Sequence, residues 1–215
     1  EESVVEWGLT PKLGKKTKGI AYNVTFSTSR IHEVKLEKLE RFTAYYYRVK
    51  TGTFSSEIYQ FKTPPFASDN ESFNIVAMSD MQKDHNNPDK FSEVVNEGIL
   101  PYLSKTFKGN LPNNLAMVMI PGDFYFKYFS LPENGTPAYA EHWWYKDYGN
   151  TRIIGLNSND GYRNSNHQYE WLAKVLEDAA ENSDIDFVFA QMHHPFKSEL
   201  WIPGETDFSG KVVKM

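Results

Sequence analysis

Residues 184–201 read DIDFVFAQMHHPFKSELW, and an apolar strand that runs straight into two histidines is the feature from which the fold is read. Ile185, Phe187, Val188, Phe189 and Ala190 form a short, nearly continuous apolar run with β-branched and aromatic members, bounded by Asp184 and Pro195. That pattern predicts a strand covered on both faces, as in a parallel sheet. A histidine at the C-terminal edge of such a strand can ligate a metal, act as a general acid, or be a satisfied polar residue. The other strand ends decide among these.

Working outward, FNIVAMSD (73–80) predicts a buried strand stopping at Asp80, and LAMVMIPGD (115–123) a second stopping at Asp123. TRIIGLNS (151–158) predicts a third, ending near Asn157. Between them, NPDKFSEVVNEGILPYL (87–103) has an Asn cap and Pro88 at its first helical position, with Phe91, Val94, Val95 and Ile99 on one face. NHQYEWLAKVLEDAAEN (166–182) predicts an amphipathic helix turning Tyr169, Leu172, Leu176 and Ala179 inward. Strands alternating with helices give α/β order, with strand C-termini lining one rim of a sheet. Asp80, Asp123 and His193 each fall just past a strand end. Asp and His together suit Zn, Fe or Mn, and a bridging carboxylate can hold two ions about 3.5–4 Å apart.

The preceding residues are of another kind. GIAYNVTFST (19–28), IHEVKLEKL (31–39), TAYYYRVKTG (43–52) and SEIYQFKTPP (56–65) are short β-branched and aromatic segments separated by turn residues. HEVKLEKLERFTAYYYRV (32–49) has the look of a tyrosine corner, in which a tyrosine hydroxyl ties a strand to the connection before it. Residues 1–63 are expected to form an all-β fibronectin type III- or Ig-like sandwich, partial in length. PPFASDNES (64–72) reads as a linker, and 73–215 as the α/β domain.

Charge divides at the same place. Residues 1–64 carry 11 Lys+Arg against 7 Asp+Glu, net +4; residues 65–215 carry 12 against 21, net −9, together the −5 of the whole chain. An acidic second unit argues against general nucleic-acid binding, because it repels phosphates unless cations intervene. The 215 residues include no cysteine, which excludes disulfides and thiolate metal sites, and no apolar run long enough to span a membrane. There is no G-x-S-x-G nucleophile motif and no Walker-type phosphate loop.

AMSDMQ (77–82), IPGD (120–123), YGNTRIIGLNS (148–158), HQYEWLAKVL (167–176) and FVFAQMHHPF (187–196) resemble the calcineurin-like metallophosphoesterases. With a fibronectin-like unit in front, the chain is most similar to the purple acid phosphatases and their bacterial relatives. The resemblance implies an αββα sandwich with two metal ions (Fe, Zn or Mn) at its strand ends. Asp80 would bind the first ion, Asp123 would bridge both, and His193, two residues before the proline, would bind the second. Gln82 and His194 are the expected catalytic residues, His194 either contacting the phosphate or supporting the metal ligands from behind. The implied activity is hydrolysis of phosphate monoesters, on a phosphorylated small molecule or phosphoprotein, by a secreted, periplasmic or cell-surface protein. A phosphodiesterase or nucleotide hydrolase of the same family, and an inactive binding or adhesion module, are the alternatives.

The departures from the pattern are specific. Many relatives have Asp-x-His in the first motif, where this chain has Gln82; purple acid phosphatases have a tyrosine three residues after the second aspartate, where this chain has Phe126. No Gly-Asn-His occurs, and no final Gly-His-x-His; IPGDF passes directly into YFKYFSLPENG (125–135). On the resemblance, the sequence is expected to be incomplete, lacking an internal segment and a C-terminal one. Four other histidines are weighed as structural: His142 beside two tryptophans, His167 at a helix cap, His85 in a solvated loop, and His32 in the β unit.

Overall fold

The computed structural model describes residues 2–24, 28–78, 85–109, 111–120, 129–158 and 167–193. Six antiparallel strands occupy its first third: β1 (Ser3–Gly8), β2 (Lys15–Asn23), β3 (Arg30–Glu33), β4 (Ala44–Thr51), β5 (Phe54–Ser55) and β6 (Tyr59–Lys62). They make one sheet in the order β3-β2-β1-β4-β5, with β6 also on β4. Thr51 pairs with Phe54, so Gly52–Thr53 is a two-residue hairpin loop, and Gly52 adopts the positive φ (54°) that such a turn requires.

Alternation along β1 and β4 sends Val5, Trp7 and Tyr45 to one face, all buried. There Trp7 meets Tyr45 edge-on at 5.7 Å, and Tyr45 stacks on Phe61 at 5.6 Å. Val34, Leu36 and Leu39, from the connection between β3 and β4, close over them. The Tyr45 hydroxyl accepts a hydrogen bond from the Glu40 amide at 2.9 Å, which is the expected tyrosine corner. The sandwich differs from expectation: among the described residues the second layer is this irregular connection, not a second sheet. Its charged, lysine-rich stretch places apolar residues at 34, 36 and 39 without strand partners for its backbone.

The segment read as a linker is fastened at both ends. Buried Thr63 donates its hydroxyl to Glu40 O (2.7 Å) and accepts from the Thr43 amide (2.9 Å). The Phe42 amide donates to Pro64 O at 3.2 Å. Pro65 is buried and packs against Gly149, which lies in the second unit.

Two further sheets follow. β7 (Asn74–Ala77) and β8 (Leu115–Met119) pair in parallel. Between them α1 (Lys90–Glu93) runs through a π-helical stretch (Val94–Ile99) into α2 (Leu100–Thr106), and α3 (Leu111–Asn114) precedes β8. The helix therefore starts later than Pro88, and Asp89 caps it without a side-chain bond. Its widened turns have a cause in Pro101, which has no N–H and whose ring crowds the carbonyl four residues back. With the helix so widened, Phe91, Val95 and Ile99 are half-buried and Leu103 buried, while Val94, expected on the same face, is exposed.

β9 (Trp144–Tyr148) and β10 (Thr151–Gly155) form a hairpin across Gly149–Asn150, and β10 runs parallel to β11 (Phe187–Gln191), giving the order β11-β10-β9. α4 (His167–Glu181) connects β10 to β11. Its Leu172 and Val175 join Ile154 and Leu156 in a buried cluster flanked by Tyr145, Trp171, Leu176 and Met192. Every residue of β10 is buried. Among the described residues β11, expected to be covered on both faces, has a strand partner on one side, and its Phe187, Val188 and Phe189 are exposed (56%, 41% and 48%). Both strands have the apolar composition of a parallel sheet, and only the central position in the sheet buries it. At the other end of the hairpin, Phe73 meets Tyr148 edge-on at 4.9 Å, bringing the start of β7 to the end of β9.

Candidate functional site

Parallel pairing puts Ala77 opposite Met119 at the ends of β7 and β8, and Gly155 opposite Gln191 at the ends of β10 and β11. Beyond β7, the Met78 amide still donates to Met119 O at 2.9 Å; beyond β10, the Leu156 amide donates to Gln191 O at 3.0 Å. Of the expected site residues, His193 lies two residues past β11 and is half-buried. Asp80, Gln82, Asp123 and His194 lie outside the described residues, as do Phe126 and Tyr125. Among the described residues no group of three His, Asp or Glu side chains converges.

The faces of the β11–β10–β9 sheet are fixed by α4. Ile154, Tyr145 and Met192 pack on the helix side, so strand alternation turns Gly155, Trp144 and Gln191 to the opposite face, in one row. In that row the Trp144 indole lies directly on Gly155: a Cβ added there would stand 2.5 Å from Trp144 Cε2. Gln191 is 7% exposed, and its Oε1 is fully enclosed with no hydrogen-bond partner among the described residues. Sequence reasoning passed over Gln191; the signal available was a polar residue closing an otherwise apolar strand.

The end of β10 is held by the first turn of α4. The buried Gln168 side chain accepts from the Asn157 amide (2.8 Å) and donates to Asn157 O (3.0 Å), continuing the ladder with a side chain where strand pairing stops. Alongside, Trp143 is fully buried, donates from Nε1 to Thr136 Oγ1 at 3.2 Å, and stacks on Tyr139 at 4.8 Å. His142 and His167 are exposed and lie 5.9 and 5.6 Å from the Tyr139 ring. His167 opens α4, and His142 flanks the aromatic stack rather than any described carboxylate cluster. His85 is exposed, and His32 Nδ1 shares a 2.9 Å hydrogen bond with the Ser3 hydroxyl in the β unit.

For a cation, the described residues offer the end of β11: an imidazole, and two residues earlier an enclosed amide oxygen. Imidazole and oxygen donors suit divalent Zn, Mn or Fe. As far as they are described, the residues fit the metal centre that the sequence motifs imply.

Residues 1–63 match the family model of the purple acid phosphatase N-terminal domain. Two uncharacterized proteins of Mycobacterium tuberculosis, from strains CDC 1551 / Oshkosh and ATCC 25618 / H37Rv, are each 31% identical over 98 residues, covering 40% of this chain and 18% of theirs. A purple acid phosphatase from yellow lupin (Lupinus luteus) seeds superimposes with a TM-score of 0.61 at 19% identity, over 91% of this chain and 46% of that one. At that identity the likeness is one of fold. The chain spans less than half the length of each of these relatives.

Proposed function

We propose that this chain, whose residues 1–63 are a purple acid phosphatase N-terminal domain, belongs to a metal-dependent hydrolase of phosphate monoesters, with residues 73–215 contributing an α/β metallophosphoesterase domain. The observation that carries the reading is the placement of His193 directly past a strand of a parallel pair, at the rim where α/β sheets bind their ligands. The lupin enzyme's similar fold supports it.

In this reading Asp80, Asp123 and His193 would hold two divalent or mixed-valence ions, Fe, Zn or Mn, with Asp123 serving as the shared carboxylate. Bound there, the ions would supply charge neutralisation of the phosphate and a nucleophile at neutral pH. The protein's own part is to fix the ligands on strand ends. His194 and Gln82 would contact the phosphate, and the Gln168–Asn157 clasp holds the end of β10 in place. The acidic balance of residues 65–215 then serves cations rather than repelling substrate. By the same likeness the protein is secreted, periplasmic or cell-surface; no described helix is long and apolar enough to cross a membrane.

The test is elemental analysis beside turnover of an aryl phosphate and a diester. Asp123→Asn should lose both metal and rate, because the charge holding two cations together is gone. His193→Ala should strip mainly one ion, and His194→Ala should cost roughly 10–100-fold in rate with metal retained. Wild-type protein that binds no transition metal and hydrolyses neither ester overturns the enzyme reading in favour of a binding module. Preference for the diester would instead move the substrate class to phosphodiesters or nucleotides.

A further inference from the structure

Gln191 closes β11 with a carboxamide buried to 93% whose Oε1 has no hydrogen-bond partner among the described residues. Leaving a buried acceptor unmade costs the group its desolvation without return, and a leucine or methionine at the same position would avoid it. An oxygen kept under those conditions calls for a partner that the described residues do not provide. We propose that Gln191 is a further ligand of the metal centre, its Oε1 binding the same cation as His193. The inference rests on the metal-centre reading above.

Position favours a cation over another hydrogen-bond donor. Met192 packs into the α4 core cluster, and strand alternation turns Gln191, the last residue of β11, to the opposite face. His193 follows it by two residues, a span of at most about 7 Å of chain. From that spacing, a glutamine and a histidine side chain can close on one ion about 2.0–2.2 Å from each donor. The wall beside Gln191 is the Trp144 indole lying on Gly155, so no side chain from that position intrudes on the carboxamide. An amide oxygen is a neutral, hard donor, suited to Mn or Fe beside imidazole and carboxylates.

The experiment is equilibrium dialysis against Mn²⁺ with metal counted by mass spectrometry, together with thermal melting in chelator and in Mn²⁺. It compares wild type with Gln191→Met, Gln191→Glu and His193→Ala. Gln191→Met keeps the chain length and removes the oxygen: it should melt no lower than wild type in chelator, yet bind Mn²⁺ at least about tenfold more weakly and gain less from it. Gln191→Glu, with a charged oxygen, should bind at least as tightly as wild type. If Gln191→Met does not fold, Gln191→Asn draws the oxygen back by one methylene, and weakened Mn²⁺ binding supports the ligand role. Mn²⁺ binding unchanged in Gln191→Met or Gln191→Asn but lost in His193→Ala overturns the Gln191 assignment and leaves the metal centre standing. Wild-type protein that takes up no Mn²⁺ overturns both.

Discussion

Arg152 lies mid-strand in β10 and is 2% exposed, an unusual place for a guanidinium. It forks onto Asp147, with Nε to Oδ1 at 2.8 Å and Nη2 to Oδ2 at 2.9 Å. Its Nη1 reaches Asp178 at 2.6 Å and the Val175 carbonyl at 3.1 Å, and its guanidinium lies 4.3 Å above the Tyr145 ring. One side chain thus ties β9, β10 and α4 together, the three elements that hold the candidate rim. Arg152→Leu removes all of it. Charge-assisted hydrogen bonds contribute about 1.5–3 kcal/mol each, but they do not add up here. The freed carboxylates are 37% and 62% exposed and recover water, and leucine replaces some packing on Tyr145. The expected loss is therefore about 2–3 kcal/mol, below the ~3–5 typical when a fully buried pair loses one partner. Arg152→Lys keeps the charge and loses the fork, for about 1–2 kcal/mol. The Asp147 hydrogen bonds, first among several causes, raise the guanidinium pKa further above its ordinary value. A raised folded pKa gives stability that is present below the unfolded pKa and is lost only as pH rises through the folded one, so on the alkaline side the network should persist up to the ordinary arginine range. Urea unfolding followed by circular dichroism, with m unchanged, measures each variant. Arg152→Leu within about 0.5 kcal/mol of wild type, or Arg152→Lys as damaging as Arg152→Leu, would refute the assignment of the fork as the main stabilising element.

Two more outcomes follow from contacts on the page. Gly155→Ala forces a Cβ to within 2.5 Å of the Trp144 ring; overpacking of this kind costs about 1–3 kcal/mol, and adding Trp144→Ala should lift the clash and recover stability relative to the single variant, by urea melts. In the β unit, the Arg48 hydrogen bond, ahead of the nearby Arg48 and Lys50 charges, holds the Glu6 carboxyl below the ordinary glutamate range despite some opposing desolvation. A depressed folded pKa gives stability present above the unfolded pKa and lost as pH falls through the folded one. Glu6→Gln should then melt below wild type at pH 7, with the gap closing by about pH 3; a gap of equal size at both pH values would contradict the ion-pair account.

How much of this was legible in the sequence depends on whether local chemistry or position in the sheet decides the outcome. The tyrosine corner was readable because Tyr45 and its partner, the Glu40 amide, lie five residues apart on one connection. α4 was readable because its period is local, although Val175 and Gln168 are buried where Tyr169 is only half so. β9 was overlooked: WYKDY alternates only weakly, and its strand character comes from pairing with β10 across the Gly149 turn. β10 and β11 read alike, yet β10 is buried throughout because it has neighbours on both sides, while β11 has one. At the site, the motif spacing pointed to His193, and burial alone pointed to Gln191. An unpartnered oxygen leaves no mark in a sequence.

At the junction between the units, read as a linker over residues 64–72, Pro65 is buried while residues 68–72 are exposed. Two prolines followed by small polar residues read as a free linker because neither needs a partner for its backbone. The same lack of an N–H lets Pro65 be buried at no hydrogen-bonding cost, against a turn whose Gly149 has φ +55°. That contact, with Phe73 on Tyr148, fastens the β unit to the start of β10, whereas the candidate rim lies at the other end of the same strand, about 13 Å away for a five-residue strand. α3 also lies against β6, and a further link, the Ser130 hydroxyl donating to Glu33 at 3.1 Å, is exposed and contributes little beside buried packing. The N-terminal unit therefore braces the β9–β10 hairpin and the helix before β8. Its influence should be carried in the stability of β10, the strand whose far end sets Gly155 beside Gln191.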